Sequence, residues 1–178
     1  QEKVLLPKRE VPKGVEPGDP VDVFLYKDSS DRLIATTREP KIKLGELKAL
    51  HVADAGKIGA FLEWGLPKDL LLPFKEQTMK VKKGDEVLVS LYIDKSDRLC
   101  ATMKIYELLR QDPPYQKDDH VDGIIYDTSE NYGLFVAVDD CYSALIPKRE
   151  AFGDLKAGDR VHARVLRVRE DGKMDLAV

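Results

Sequence analysis

The stretch Leu5–Thr37, LLPKREVPKGVEPGDPVDVFLYKDSSDRLIATT, returns without a gap as Leu71–Met103, LLPFKEQTMKVKKGDEVLVSLYIDKSDRLCATM, each matched residue lying 66 positions on. Pro7 corresponds to Pro73, Gly18-Asp19 to Gly84-Asp85, and Asp31-Arg32-Leu33 to Asp97-Arg98-Leu99. A weaker copy starts at Leu145, with Pro147 and Gly158-Asp159 lying 74 positions beyond their second-copy equivalents. A one-residue adjustment in the last hairpin of that copy then brings Lys173 opposite Arg98. A repeat of this length restricts the chain to a series of small units of similar build, because each copy must be one supersecondary unit.

The copies share a physical grammar. A short apolar strand ends at proline, which cannot donate to a ladder and so suits a strand end or edge. A polar segment and a Gly-Asp turn lead into an alternating strand. In the second copy Val87, Val89 and Leu91 fall on one side and Leu88, Ser90 and Tyr92 on the other, the period-two pattern of a half-buried strand. Asp94–Asp97 supplies a hairpin turn, and Leu99–Met103 is the return strand.

Two further strands precede the second and third copies: Leu50–Ala55 with Ile58–Glu63, joined near Gly56, and Val121–Asp127 with Gly133–Val138, joined near Ser129-Glu130-Asn131. A complete unit therefore has about five short strands in about 60 residues. An antiparallel sheet of that size removes its edges by closing, and the five-stranded oligonucleotide-binding (OB) barrel is the closed form that fits. The expected fold is all-β: tandem five-stranded antiparallel OB barrels, the first incomplete because it lacks its opening strand pair. The expected boundaries are 1–44 for the partial unit, 45–109 for the second and 110–178 for the third. Tyr106–Lys117, with Asp112-Pro113-Pro114, reads as an extended or turn-forming connection. The opening residues, which lack a methionine and look like a strand end, read as part of a longer protein.

Composition sets limits on function. An apolar fraction of 43% with 34% charged residues belongs to a packed globular protein. No apolar run approaches the roughly 18–20 residues that span a bilayer, and the first residues carry no secretory signal, so a cytoplasmic location is expected. Cys100 and Cys141 stand far apart with no CxxC spacing and read as packing residues. The net charge of −3 offers no whole-molecule attraction to phosphate, so any basic surface must be local.

Asn131-Tyr132-Gly133-Leu134-Phe135-Val136, then Ala144-Leu145-Ile146, then Gly158-Asp159-Arg160-Val161, resembles the motif order of S1 RNA-binding domains. The second unit repeats it as Ile58-Gly59-Ala60-Phe61-Leu62, Leu70-Leu71-Leu72 and Gly84-Asp85-Glu86-Val87. The phrase Glu63–Asp69, EWGLPKD, is similar to the bacterial conserved virulence factor B family, whose members carry tandem S1 domains followed by a winged helix. The resemblance implies RNA binding, an influence on virulence gene expression, and a chain that stops short of the winged helix. The histidine that many S1 domains place after the third strand is replaced by Pro7, Pro73 and Pro147, and Ile58 stands where unit three has Tyr132.

Single-stranded RNA is held by aromatic rings on which unpaired bases stack, beside cations that follow the phosphates. In unit three the candidates are Tyr132 and Phe135 for stacking, with Lys148, Arg149 and Arg164 for phosphate. Residues three apart on a regular strand face opposite ways, so the two rings share a face only if Gly133 allows a bend. In unit two the candidates are Phe61 and Trp64 with Lys57, Lys68 and Lys75. Phe61 and Phe135 could equally be barrel-core residues, and Trp64 could cap its barrel. His51, His120 and His162 are scattered, His51 and His120 reading as the starts of matching first strands; no catalytic constellation, metal site or cofactor motif is expected. The partner expected is single-stranded RNA. A scaffold docking on ribosomal, polymerase or RNA-processing proteins is the alternative, since function resides in the site rather than the fold.

Overall fold

The computed structural model describes residues 3–178. It contains twelve strands and four short 3-10 turns, with no α-helix among the described residues. In chain order the strands are β1 (Phe24–Lys27), β2 (Leu33–Thr36), β3 (Leu47–Ala55), β4 (Gly59–Leu62), β5 (Leu70–Pro73), β6 (Glu86–Ile93), β7 (Leu99–Thr102), β8 (His120–Ser129), β9 (Gly133–Val138), β10 (Tyr142–Pro147), β11 (Arg160–Val168) and β12 (Met174–Ala177). No described helix is long and apolar enough to cross a membrane.

The strands form three groups: a β1-β2 pair, a five-stranded sheet ordered β5-β4-β3-β6-β7, and a closed barrel ordered β10-β12-β11-β8-β9. The barrel closes through a short parallel pairing of β10 with β12, Ala144 opposite Met174. The middle sheet curls to near closure. The Met103 N–H donates to the Glu76 carbonyl at 2.9 Å and the Thr102 hydroxyl to the Glu76 carboxylate at 2.8 Å, joining the end of β7 to the turn that follows β5. The architecture is thus the all-β tandem OB arrangement expected, with an incomplete first unit in which Leu5 bridges Ile34 beside β2. After each proline that ends the third strand, or its unit-one equivalent, the chain makes a 3-10 turn: Lys8–Glu10, Phe74–Glu76 and Lys148–Glu150.

The hairpin aspartates do what their residue type predicts. Asp28 Oδ1 accepts the N–H groups of Ser30 and Arg32, and Asp94 Oδ1 those of Ser96 and Arg98. Bonds to the ionised form hold both carboxyls below the usual range, with the Arg32 and Arg98 amides the largest causes.

Two expectations are corrected. β6 is not half-buried: Val87, Val89 and Leu91 face the core of unit two, but Leu88 on the opposite side is buried with Ile105, Leu109, Ile124, Tyr126 and Ala137. That second cluster joins the two barrels, which is why the alternating strand is covered on both faces. Fully burying one Leu or Ile side chain contributes about 1.5–3 kcal/mol. The Thr78 hydroxyl, donating to the Tyr126 carbonyl at 2.5 Å, and an Arg160–Glu86 ion pair at 2.9 Å flank the junction. The histidines also differ, since His120 opens β8 while His51 lies within β3.

Candidate nucleic-acid interface

The inward residues of β9 are Leu134, Val136 and Val138, which belong to the unit-three core. Alternation sends Phe135 to the outer wall, where it is half-buried against Tyr106 and Tyr126 rather than in the barrel. The Tyr106 ring meets it edge-on, with centroids 5.6 Å apart and planes at 79°. Tyr132 lies beside the preceding turn with 65% of its surface exposed. Both Tyr132 and Phe135 line one groove of about 480 Å³ on the outside of the barrel.

Gly133 makes this possible. Its φ is +130°, and a Cβ there would lie 2.1 Å from the Ile146 carbonyl oxygen, so only glycine lets β9 enter the ladder at that angle. The equivalent Gly59 repeats the arrangement, with a Cβ reaching 2.4 Å from the Leu72 carbonyl oxygen.

The cations divide. Lys148 and Arg149 are exposed on the 3-10 turn next to Tyr132, the Lys148 N–H donating to the Tyr132 carbonyl at 3.0 Å. Arg164 does not join them. It pairs with Asp118 at 2.7 Å and stands opposite His120, at the far end of β8 from Asp127 and so roughly 20 Å of strand from the groove.

Two further cations line the groove instead, Arg169 and Lys173. The Lys173 ammonium donates to the Tyr106 hydroxyl at 2.5 Å and lies 4.8 Å from the ring centroid, a geometry that puts it off the hydroxyl end rather than over the ring face. It has no ion pair among the described residues, whereas Arg169 is shared with Asp171 and Asp175. The repeat alignment of Lys173 with Arg98 was the available signal for the lysine. Tyr106 offered none beyond being an aromatic in a connection.

At the groove floor the Tyr126 hydroxyl is buried with no hydrogen-bond partner among the described residues. Burial chiefly, then Tyr106 and Asp127 nearby, push its pKa well up, so it stays a neutral donor. An unpartnered buried hydroxyl costs about 1–3 kcal/mol.

Unit two carries a groove at the same address, lined by Phe61, Leu71 and Arg98, but of about 260 Å³. Unit one occupies its rim. Lys27 Nζ donates to the Ser96 carbonyl at 3.0 Å, Arg98 faces Asp31 at 3.6 Å, and Tyr26 lines the wall. Lys68, expected at phosphate, donates to the carbonyls of Lys27 and Asp28 at 3.2 and 3.0 Å and is committed to the unit-one hairpin. Trp64, expected as a possible stacking ring, is 3% exposed; it packs edge-on against Phe24 and donates its indole N–H to the Lys68 carbonyl at 2.6 Å. It caps the core. Lys57 and Lys75 are exposed, and Phe61 is half-buried on the outer wall like Phe135.

Fold and groove together define a class: tandem OB barrels that present an aromatic, cation-edged groove on the outer wall. The S1 domain family model matches residues 1–38 and 44–104, more than half of the sequence, and the chain belongs to the S1 domain family. Unit three lies outside the matched span although its barrel is the fully closed one.

The chain is similar to uncharacterized protein YitL of Bacillus subtilis, 29% identical over all of this chain and 62% of that protein. It is also similar to conserved virulence factor B of Staphylococcus saprophyticus, 25% identical over 89% of the chain and 56% of the relative. The Staphylococcus aureus protein of that name is 23% identical over 90% of the chain and 56% of the relative. Among solved structures, a multidomain protein with nucleic acid binding domains from Streptococcus pneumoniae superposes with a TM-score of 0.70 at 25% identity. That superposition covers 99% of this chain and 65% of the other. The chain thus spans 56 to 62% of the length of these curated relatives.

Proposed function

We propose that this chain holds single-stranded RNA in the unit-three groove, without catalysis, as part of post-transcriptional or virulence gene regulation in the cytoplasm. The observation that carries the reading is the convergence of Tyr132, Phe135 and Tyr106 on one groove edged by Arg169 and Lys173. Unpaired bases stack on such rings for about 1–3 kcal/mol each, and the cations follow the backbone. Lys148 and Arg149 extend the basic edge past Tyr132, which supplies a local attraction that the net charge of −3 does not. The regulatory part of the reading rests on the similarity to conserved virulence factor B.

In unit two, Phe61, Lys57 and Lys75 form at most a secondary contact, because the unit-one hairpin holds Arg98 and Lys68. That hairpin also favours a second reading. A groove of this type already takes a protein loop here, so the chain could act as a scaffold for ribosomal or RNA-processing proteins. Titration of labelled single-stranded RNA, with a duplex of the same sequence as control, separates the two. RNA binding predicts tighter single-strand binding that weakens log-linearly with salt. No binding, or binding indifferent to strandedness, favours the scaffold.

A further inference from the structure

We infer that Asp127 reads the base held in the unit-three groove by accepting a hydrogen bond from an exocyclic amino group, which sets the site against uracil. The inference rests on the reading of that groove as a single-strand site.

A bulge in β8 between Ile125 and Asp127 brings Asp127 directly across the ladder from Phe135, and its side chain lines the groove with the rings. Oδ1 accepts the Thr128 N–H at 2.8 Å, and the carboxylate has no ion pair among the described residues. An ionised carboxylate only accepts hydrogen bonds and repels phosphate. Beside a stacking ring its complement on RNA is therefore a donor, and RNA offers donors on base edges and at the ribose 2′-hydroxyl. Because Asp127 lies across from the stacking ring, the base edge is the nearer complement. Cytosine, adenine and guanine each present an amino group. Uracil presents a single imino N–H between two carbonyl oxygens, both of which face a carboxylate unfavourably. The Tyr126 hydroxyl, buried at the groove floor, has no hydrogen-bond partner among the described residues.

Unit two shows which part of this is structural. Asp54 stands across from Phe61 and its Oδ1 accepts the Ala55 N–H at 2.9 Å, so support of the strand backbone is common to both barrels. Asp54 does not line its groove; Asp127 does. Asp127→Asn keeps an oxygen for the Thr128 amide and removes the charge.

The test is fluorescence polarisation of the full chain with short single-stranded oligocytidylate, oligouridylate and oligodeoxycytidylate. The wild type is expected to favour oligocytidylate over oligouridylate by about tenfold, the discrimination of one good base contact. D127N is expected to bring that ratio close to one without weakening oligouridylate binding. A ratio that survives in D127N, no preference in the wild type, or loss in D127N of ribose-over-deoxyribose preference alone overturns the inference and leaves the single-strand reading standing. Failure of the wild type to bind any oligomer overturns both.

Discussion

Phe61 and Phe135 hold one address in two barrels, 74 positions apart and each opposite a leucine of the third strand, Leu71 and Leu145. Their surroundings differ. Phe135 faces a groove of about 480 Å³ where Lys173 has no ion pair among the described residues, while Phe61 faces about 260 Å³ edged by the unit-one hairpin, where Arg98 meets Asp31. The barrels are alike in fold and unequal as binding surfaces. Phe61→Ala is therefore expected to change single-stranded RNA affinity less than twofold where Phe135→Ala weakens it about tenfold. Equal losses, measured by polarisation at one salt concentration, would contradict this inequality.

Trp64 belongs to the packing of unit two. Trp64→Ala is expected to lower stability by about 3–5 kcal/mol, seen as a fall in denaturant midpoint or Tm. A variant that kept its stability but lost RNA binding would return Trp64 to the binding surface.

The two glycines Gly133 and Gly84 both have positive φ but different neighbours. At Gly84 a Cβ meets nothing within 4 Å, whereas at Gly133 it meets backbone oxygen at 2.1 Å. Gly84→Ala is expected to cost about 1–2 kcal/mol, from the left-handed backbone alone. Gly133→Ala is expected to cost more, because β9 must also move away from β10. Comparable midpoints in urea for the two variants would argue against that close approach.

How far the sequence carried this picture depended on whether a feature was local. The strand grammar, the hairpin aspartates and the need for Gly133 are local, and the repeats made them readable. The fate of Lys68 was not, because the carbonyls it serves lie 40 and 41 positions away, and a lysine near a groove looks the same whether it meets phosphate or protein. Trp64 was ambiguous for the same reason, since its indole N–H needs a partner in either role. Arg164 was misplaced because alternation fixes which face a residue takes but not how far along a barrel it lies. Tyr106 reaches the groove only through the turn that follows β7, which no periodicity announces.

Acid should weaken the hairpins in a defined direction. The Asp94 carboxyl is held below its ordinary range, first by the Arg98 amide and also by the Ser96 amide. A lowered folded pKa contributes stability that is complete above the ordinary carboxylate range and lost as pH falls through the folded value. Asp94→Asn, which retains an acceptor without the charge, is expected to flatten the acid limb of the stability profile below the ordinary carboxylate range of about pH 4. An unchanged acid limb would show that Asp94 is not one of the groups responsible.

Salt dependence measures the phosphate contacts separately from stacking. Each phosphate neutralised on a single strand contributes about −0.7 to the slope of log affinity against log salt. Lys173→Ala is expected to make the slope shallower by about that amount, while Arg164→Ala, with its guanidinium engaged by Asp118, leaves it unchanged. The reverse pattern would move the basic track to the β11 face.

The most direct measurement is the affinity of the Tyr132→Ala/Phe135→Ala double variant for single-stranded RNA, taken together with its circular dichroism spectrum. Both rings lie on the outer wall, so the spectrum should remain native while affinity falls by about a hundredfold, two stacked bases' worth. Native affinity in a folded double variant, or a variant that unfolds, would contradict the account at its centre.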